Sequence, residues 1–176
     1  MKIKKRIEND VYELVIPNKE VRMINNNIFM KWFDEYQKAK RNGFIQSLIN
    51  GNQIEAIDLL SDVLENSISY YDNYESFYHD FMVEFLNVDG YRVESNKESG
   101  EGRFDFALVP QRKIHSCIVI ECKHSLCDGD LIADSQKAAM QIKNKKYKQV
   151  FINKGYLDVI GYGISFYKKQ CYITKV

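Results

Sequence analysis

The sequence predicts an α/β sandwich in which a helix, three strands, a second helix and further closing strands follow a helical extension. Three observations carry this. The run Cys117-Ile118-Val119-Ile120 is apolar at every position, as in a central strand covered on both faces. Arg103 to Val109 reads as a neighbouring strand, with Pro110-Gln111-Arg112-Lys113 as the turn between them. Apolar residues recur at helical spacing both before and after this strand group.

The elements follow in order. After a short apolar segment, Tyr12-Glu13-Leu14-Val15-Ile16, closed by Pro17-Asn18, the chain up to about Ser69 reads as mainly helical. One apolar stripe runs through Val21, Ile24, Ile28, Phe29, Trp32, Phe33 and Tyr36. A second runs through Ile54, Ile57, Leu60, Val63, Leu64 and Ile68. Both read as helix-packing surface. Residues 1–70 are accordingly expected to form the extension or linker, and 71–176 the sheet-bearing domain. A helix from about Tyr74 to Asn87 opens the latter, with Phe77, Phe81 and Phe85 on a broad apolar face. Another spans about Asp130 to Tyr147, with Leu131, Ala138, Ala139 and Ile142 inward. Gly155 can end a following short helical segment. Val159 to Tyr167 and Gln170 to Thr174 then form a hairpin across Lys168-Lys169.

Charge enters the central strand only at its end, as Glu121-Cys122-Lys123. Side chains alternate along a strand, so Glu121 and Lys123 share a face and Cys122 points to the other. If the two strands form a hairpin folded near Lys113, Asp105 lies roughly opposite Glu121. Opposed side chains are then about 5 Å apart, and a slip of one residue would turn Asp105 away. Two carboxylates so close repel unless a cation intervenes or one pKa rises. Oxygen ligands of this kind suit magnesium, which keeps several waters and takes one or two carboxylates plus substrate phosphate. Lys123 could hold the attacking water or neutralise charge at the phosphorus. The set suits phosphodiester hydrolysis. A solvated strand end is the plainer alternative for an acid and a lysine two residues apart.

The stretch from Tyr74 to Thr174 resembles the PD-(D/E)XK nuclease superfamily, in particular the branch that commonly follows an AAA-ATPase-like domain in bacterial proteins. The residues that carry the resemblance begin with Glu75-Ser76-Phe77-Tyr78-His79 and Tyr91-Arg92-Val93-Glu94-Ser95-Asn96. Glu98-Ser99-Gly100, Gly102-Arg103-Phe104-Asp105 and Ile118-Val119-Ile120-Glu121-Cys122-Lys123 continue it. It closes with Gln141-Ile142, Lys146-Tyr147 and Tyr162-Gly163-Ile164-Ser165-Phe166-Tyr167. The resemblance implies a restriction-endonuclease-like core. It implies metal binding by Asp105 and Glu121, a catalytic Lys123 and an assisting acid, Glu75, from the first helix. A carboxylate at Glu75 would also favour the helix dipole, and Glu84 is an alternative helix acid. Gln141 and Tyr147 resemble residues that face the site or the nucleic acid. Phe104 stands where the motif's name has proline.

Lys137, Lys143, Lys145, Lys146 and Lys148 cluster on or beyond the second helix. They are either a solvated face or phosphate contacts, with Lys137 and Lys145 the candidates for nucleic-acid binding. The expected activity is that of a magnesium-dependent deoxyribonuclease, with manganese able to substitute. DNA is the expected substrate, and an AAA-type ATPase in trans and a second copy of the chain are the candidate partners. The rival reading is a non-catalytic module that binds nucleic acid or protein.

Composition bounds these readings. The chain has 176 residues, of which 45% are hydrophobic and 13% aromatic, enough for one substantial core. A formal charge of +1 gives no global attraction to nucleic acid, so binding must rest on local patches. No apolar run approaches the roughly 20 residues that span a bilayer, and the start lacks a signal-peptide core, which predicts a cytoplasmic protein and no membrane. Cys117, Cys122, Cys127 and Cys171 read as buried reduced thiols. A zinc site from Cys122, His124 and Cys127 lacks the usual spacing. His79 and His115 read as structural or surface residues. There is no glycine-rich phosphate loop, so the chain alone is not expected to hydrolyse ATP.

Overall fold

The computed structural model describes residues 2–8, 11–15, 36–67, 75–99 and 102–176. The chain divides into two compact units, Met1–Lys38 and Ala39–Val176. In the first, β1 (Lys2–Glu8) and β2 (Val11–Val15) pair antiparallel, from Lys2↔Val15 to Glu8↔Val11. The apolar segment at Tyr12 is a strand, too short for a helix and preceded by residue types that favour hairpin turns. The stripe from Val21 to Phe33 lies outside the described residues.

The second unit starts at Ala39. It takes in the rest of α1 (36–50) and all of α2 (Gln53–Ser67). Gly51, at φ 74°, ends α1. Asn52 opens α2, with Oδ1 accepting the Glu55 N–H at 3.3 Å and Nδ2 donating to Glu55 Oε2 at 2.9 Å. The apolar stripe of α2 places Ala56, Leu60, Val63 and Leu64 in the same core as the sheet. The buried Tyr162 hydroxyl ties that sheet to α1 by donating to the Leu48 carbonyl at 2.5 Å. Phe44, Ile45 and Leu48 of α1 join this core too, whereas Ile54, at the start of the α2 stripe, is 75% exposed.

The remaining elements are α3 (Glu75–Phe85), β3 (Tyr91–Ser99), β4 (Gly102–Pro110), β5 (Cys117–His124), α4 (Leu131–Asn144), α5 (Tyr147–Asn153), β6 (Val159–Tyr167) and β7 (Gln170–Lys175). The strands form one sheet in the order β3-β4-β5-β6-β7, antiparallel except for the parallel pair β5 and β6. That parallel pair needs a crossover, which α4 and α5 supply. One face, through Phe106, Leu108, Ile118, Ile120, Tyr162 and Ile164, packs with α1, α2 and α3. The other, through Ala107, Val109, Cys117, Val119 and neighbours, packs with α4 and α5. This is the two-layered covering expected of the apolar run Cys117 to Ile120, all four residues of which are fully buried.

Two backbone details set the position of the second helical layer. Gly163 pairs with Glu121 in the β5–β6 ladder, and a Cβ there would run into the backbone of Ser135 and Ala139. The helix α4 therefore lies directly on β6 at this point, with only glycine between them. The helix expected to run to Tyr147 stops at Asn144. Lys146 adopts φ 54°, a left-handed turn that redirects the chain and drives Tyr147 into the core.

Candidate active site

The register places the acids. The β4–β5 ladder runs Leu108↔Ile118, Ala107↔Val119, Phe106↔Ile120, which puts Asp105 next in line with Glu121. There the strands part. The Cys122 N–H, which lies just past the last pair, is taken by the side chain of Asp105, whose Oδ2 accepts it at 2.7 Å. The other edge of β4 is also interrupted here. Ser95↔Phe106 and Lys97↔Phe104 are paired, while Asn96 between them sits at φ 49°. Side-chain alternation breaks at the same point: Phe106 joins the α3-side core and Phe104 the α4-side core, against Tyr147 and Phe151. Phe104, in the position that the motif's name gives to proline, thus serves as an apolar anchor for the kinked strand.

Glu121 is 4% exposed and Lys123 half-buried. Gln141, from α4, bridges them: its Nε2 donates to Glu121 Oε1, and its Oε1 accepts from Lys123 Nζ at 3.2 Å. Glu121 Oε2 is buried without a hydrogen-bond partner. Burial, and then the charge of Asp105, push the Glu121 carboxyl up to about 8, with Lys123 pulling the other way. Asp105 is also raised, chiefly by burial, with Glu75 adding to the rise and the Cys122 N–H, His79 and Lys123 opposing it. A buried, orphaned carboxylate oxygen beside a second acid is the electrostatic setting that a hard cation would satisfy. Among the described residues no group of three or more His, Cys, Asp or Glu side chains is placed to hold a metal ion.

On the α3 side the site opens into a cleft of about 510 Å³ whose lining includes Glu75, His79, Asn96, Asp105, Lys123 and His124. Glu75, exposed in the first turn of α3, faces this cleft and is close enough to raise Asp105. The alternative acid, Glu84, lies elsewhere and pairs with Arg41 at 3.6 Å. On the α4 side a second groove, of about 760 Å³, is lined by Lys137, Met140, Gln141, Asn144 and Lys145 among others. Lys137 donates to Asp134 Oδ1 at 2.8 Å, and Lys145 is exposed.

A model of the PD-(D/E)XK nuclease superfamily matches residues 73–176. The chain belongs to that superfamily. No curated protein and no solved structure matches it. Members of the superfamily are nucleases, acting on nucleic acid and typically using divalent metal ions. The fold agrees with a restriction-endonuclease-like core.

In this PD-(D/E)XK protein Tyr147 sits in the core behind the site, its hydroxyl against Gln141 and near the charges of Glu121 and Asp105. It is 1% exposed, and its hydroxyl donates to the Arg103 carbonyl at 2.8 Å, so it holds β4 where the strand enters the site. The left-handed turn at Lys146 is the cause, and nothing in the local pattern announced it. His79 is the residue that sequence reasoning missed. Its ring stacks on Phe106 with centroids 4.8 Å apart, its Nε2 lies 2.9 Å from Asn96 Nδ2, and it lines the cleft beside Asp105. Its place four residues after Glu75, one helical turn on, was the available signal. Of the thiols, Cys117 and Cys171 are buried as expected, but Cys127 is exposed and donates to Asp130 Oδ2 at 3.2 Å. Among the described residues no helix is long and apolar enough to cross a membrane.

Proposed function

We propose that this PD-(D/E)XK protein is a magnesium-dependent deoxyribonuclease that uses water as the nucleophile. The observation that carries the reading is the orphaned Glu121 Oε2, buried next to Asp105 on the strand end that also bears Lys123. Asp105 and Glu121 would hold the ion, with manganese able to replace magnesium. Bound there, the metal supplies Lewis acidity toward a phosphoryl oxygen and lowers the pKa of water. The Lys123 ammonium, held by Gln141, orients the attacking water and offsets the negative charge that builds at phosphorus. Glu75 contributes a further carboxylate at the cleft mouth. Lys137 and Lys145 give the phosphate backbone a basic path along α4 toward Gln141. The proposal also takes in an AAA-type ATPase acting in trans and a second copy of the chain as partners, in line with the branch that the sequence resembles.

The test is cleavage of linear duplex, single-stranded and branched DNA with magnesium or manganese, by the parent chain and by Lys123→Ala. Metal-dependent cutting that a chelator stops and the variant lacks is the expected result. Cutting that persists in excess chelator would overturn the mechanism. Absence of cutting by either protein, with binding retained, would favour a non-catalytic binding module.

A further inference from the structure

The cleft on the α3 side contains more than phosphate chemistry requires. Phe166, Tyr78 and His124 form a run of near-parallel rings. Phe166 and Tyr78 have centroids 4.8 Å apart at 14°, and Tyr78 and His124 are 5.8 Å apart at 27°. The run leads from the core outward, since Phe166 and Tyr78 are 0% and 2% exposed while His124 is half-buried. All three line the cleft that also holds Asp105 and Lys123. His124 directly follows Lys123 on β5, a backbone rise of about 3.3 Å, and although the two side chains leave the strand on alternate faces both reach the lining of the cleft.

A phosphate placed at Asp105 and Lys123 brings its nucleoside with it. At about 510 Å³ the cleft lies within the range of roughly 300–1,000 Å³ typical of cavities that bury one small organic molecule. A single base with its sugar is of that order. A base pair still stacked in a duplex, with its second strand attached, is too large to enter between α3 and the strand ends. Asn96, also in the lining, adds an amide beside His79.

We propose that this cleft receives one unpaired nucleobase adjoining the scissile phosphate, stacked on His124 as the fourth ring of the series, so that the preferred substrate is single-stranded or frayed nucleic acid. The proposal rests on the nuclease reading above and narrows it. Stacking on an aromatic ring tolerates any base, so no sequence preference follows from this contact.

Single-turnover cleavage in magnesium tests it with three matched oligonucleotides: a single strand, its blunt duplex, and the single strand carrying an abasic residue beside the cut position. The single strand should be cut at least about tenfold faster than the duplex, and removal of the base should slow cutting by about 5- to 100-fold. His124→Ala should slow the intact strand to a similar extent and erase the difference from the abasic strand, while His124→Phe should restore both. Equal cutting of all three by the parent chain would overturn the proposal and leave the nuclease reading intact. If nothing is cut, the nuclease reading falls, and fluorescence of a single-stranded oligonucleotide containing 2-aminopurine reads the pocket directly. Quenching abolished in His124→Ala and retained in His124→Phe would support the stacked base, and its absence in the parent chain would overturn it.

Discussion

Asp105 Oδ2 accepts the backbone N–H of Cys122, the residue between Glu121 and Lys123, at 2.7 Å. One side chain thereby closes the gap where β4 and β5 part and fixes its own carboxylate beside the other acid. Asp105→Asn can keep the acceptor and lose the charge, whereas Asp105→Ala loses both. Metal-dependent cleavage should fall by about 100-fold or more in each. Only the alanine variant should lose about 1 kcal/mol of stability in urea titrations, through the N–H left without its partner. Equal stability of the two variants would detach the hydrogen bond from the fold.

The Glu121 carboxyl provides a pH signature. Without metal it ionises near 8 in the folded chain, against 4.5 for an unperturbed glutamate. The unfolded state therefore gives up its proton first, so stability should be full below about pH 4.5, fall as pH rises, and level off above about 8. The loss from this group is on the order of 3–5 kcal/mol, and Asp105, also raised, acts in the same direction. Thermal unfolding in a chelator between pH 5 and 9 should show this decline, and Glu121→Gln should flatten it. Added magnesium should raise the melting temperature more at pH 8 than at pH 5, because binding needs the ionised acids. A melting temperature that climbs with pH in chelator would contradict the burial of this group.

Gln141 and Lys145 should separate by assay. Gln141→Ala frees both Glu121 and Lys123 from their bridge and should lower activity or metal affinity by about 10- to 100-fold. Lys145→Ala should leave single-turnover cleavage at saturating DNA unchanged. It should weaken DNA binding and reduce the salt dependence of log Kd by about one unit. Indistinguishable kinetics for the two variants would remove Gln141 from the site.

Gly163→Ala should cost about 3 kcal/mol or more in denaturant titrations, since the added methyl meets helix backbone and no side chain can move aside to relieve it. Gly90→Ala, where the cost comes from φ 88° and no atom lies within 4 Å of the added carbon, should cost less. Comparable losses would place the strain in the dihedral angles and not in the contact.

Much of this was legible in the residues. The unbroken apolar run at Cys117 to Ile120 located the central strand, and counting back from a turn near Lys113 put Asp105 in line with Glu121, one step beyond the last ladder pair, Phe106↔Ile120. The closing strands lie where the alternation and Lys168-Lys169 indicated. What escaped was set by backbone exceptions and long-range packing. The left-handed turn at Lys146 is held by a lysine, a residue with no preference for that conformation, so the inward swing of Tyr147 had no local sign. The tie between α1 and the sheet joins Leu48 and Tyr162, 114 positions apart. His79 gains its place from Phe106 and Asn96, neither of which is near it in sequence.

The seat of α4 on Gly163 divides labour within that helix. Its inner side is registered against β6 by backbone contact, so Gln141 is positioned by the sheet and owes nothing to the helix exterior. Lys137, Met140 and Lys145 look outward along the same few turns. If the outward lysines meet nucleic acid as proposed, surface substitutions on α4 would alter how substrate is held while Glu121, Lys123 and Gln141 keep their geometry.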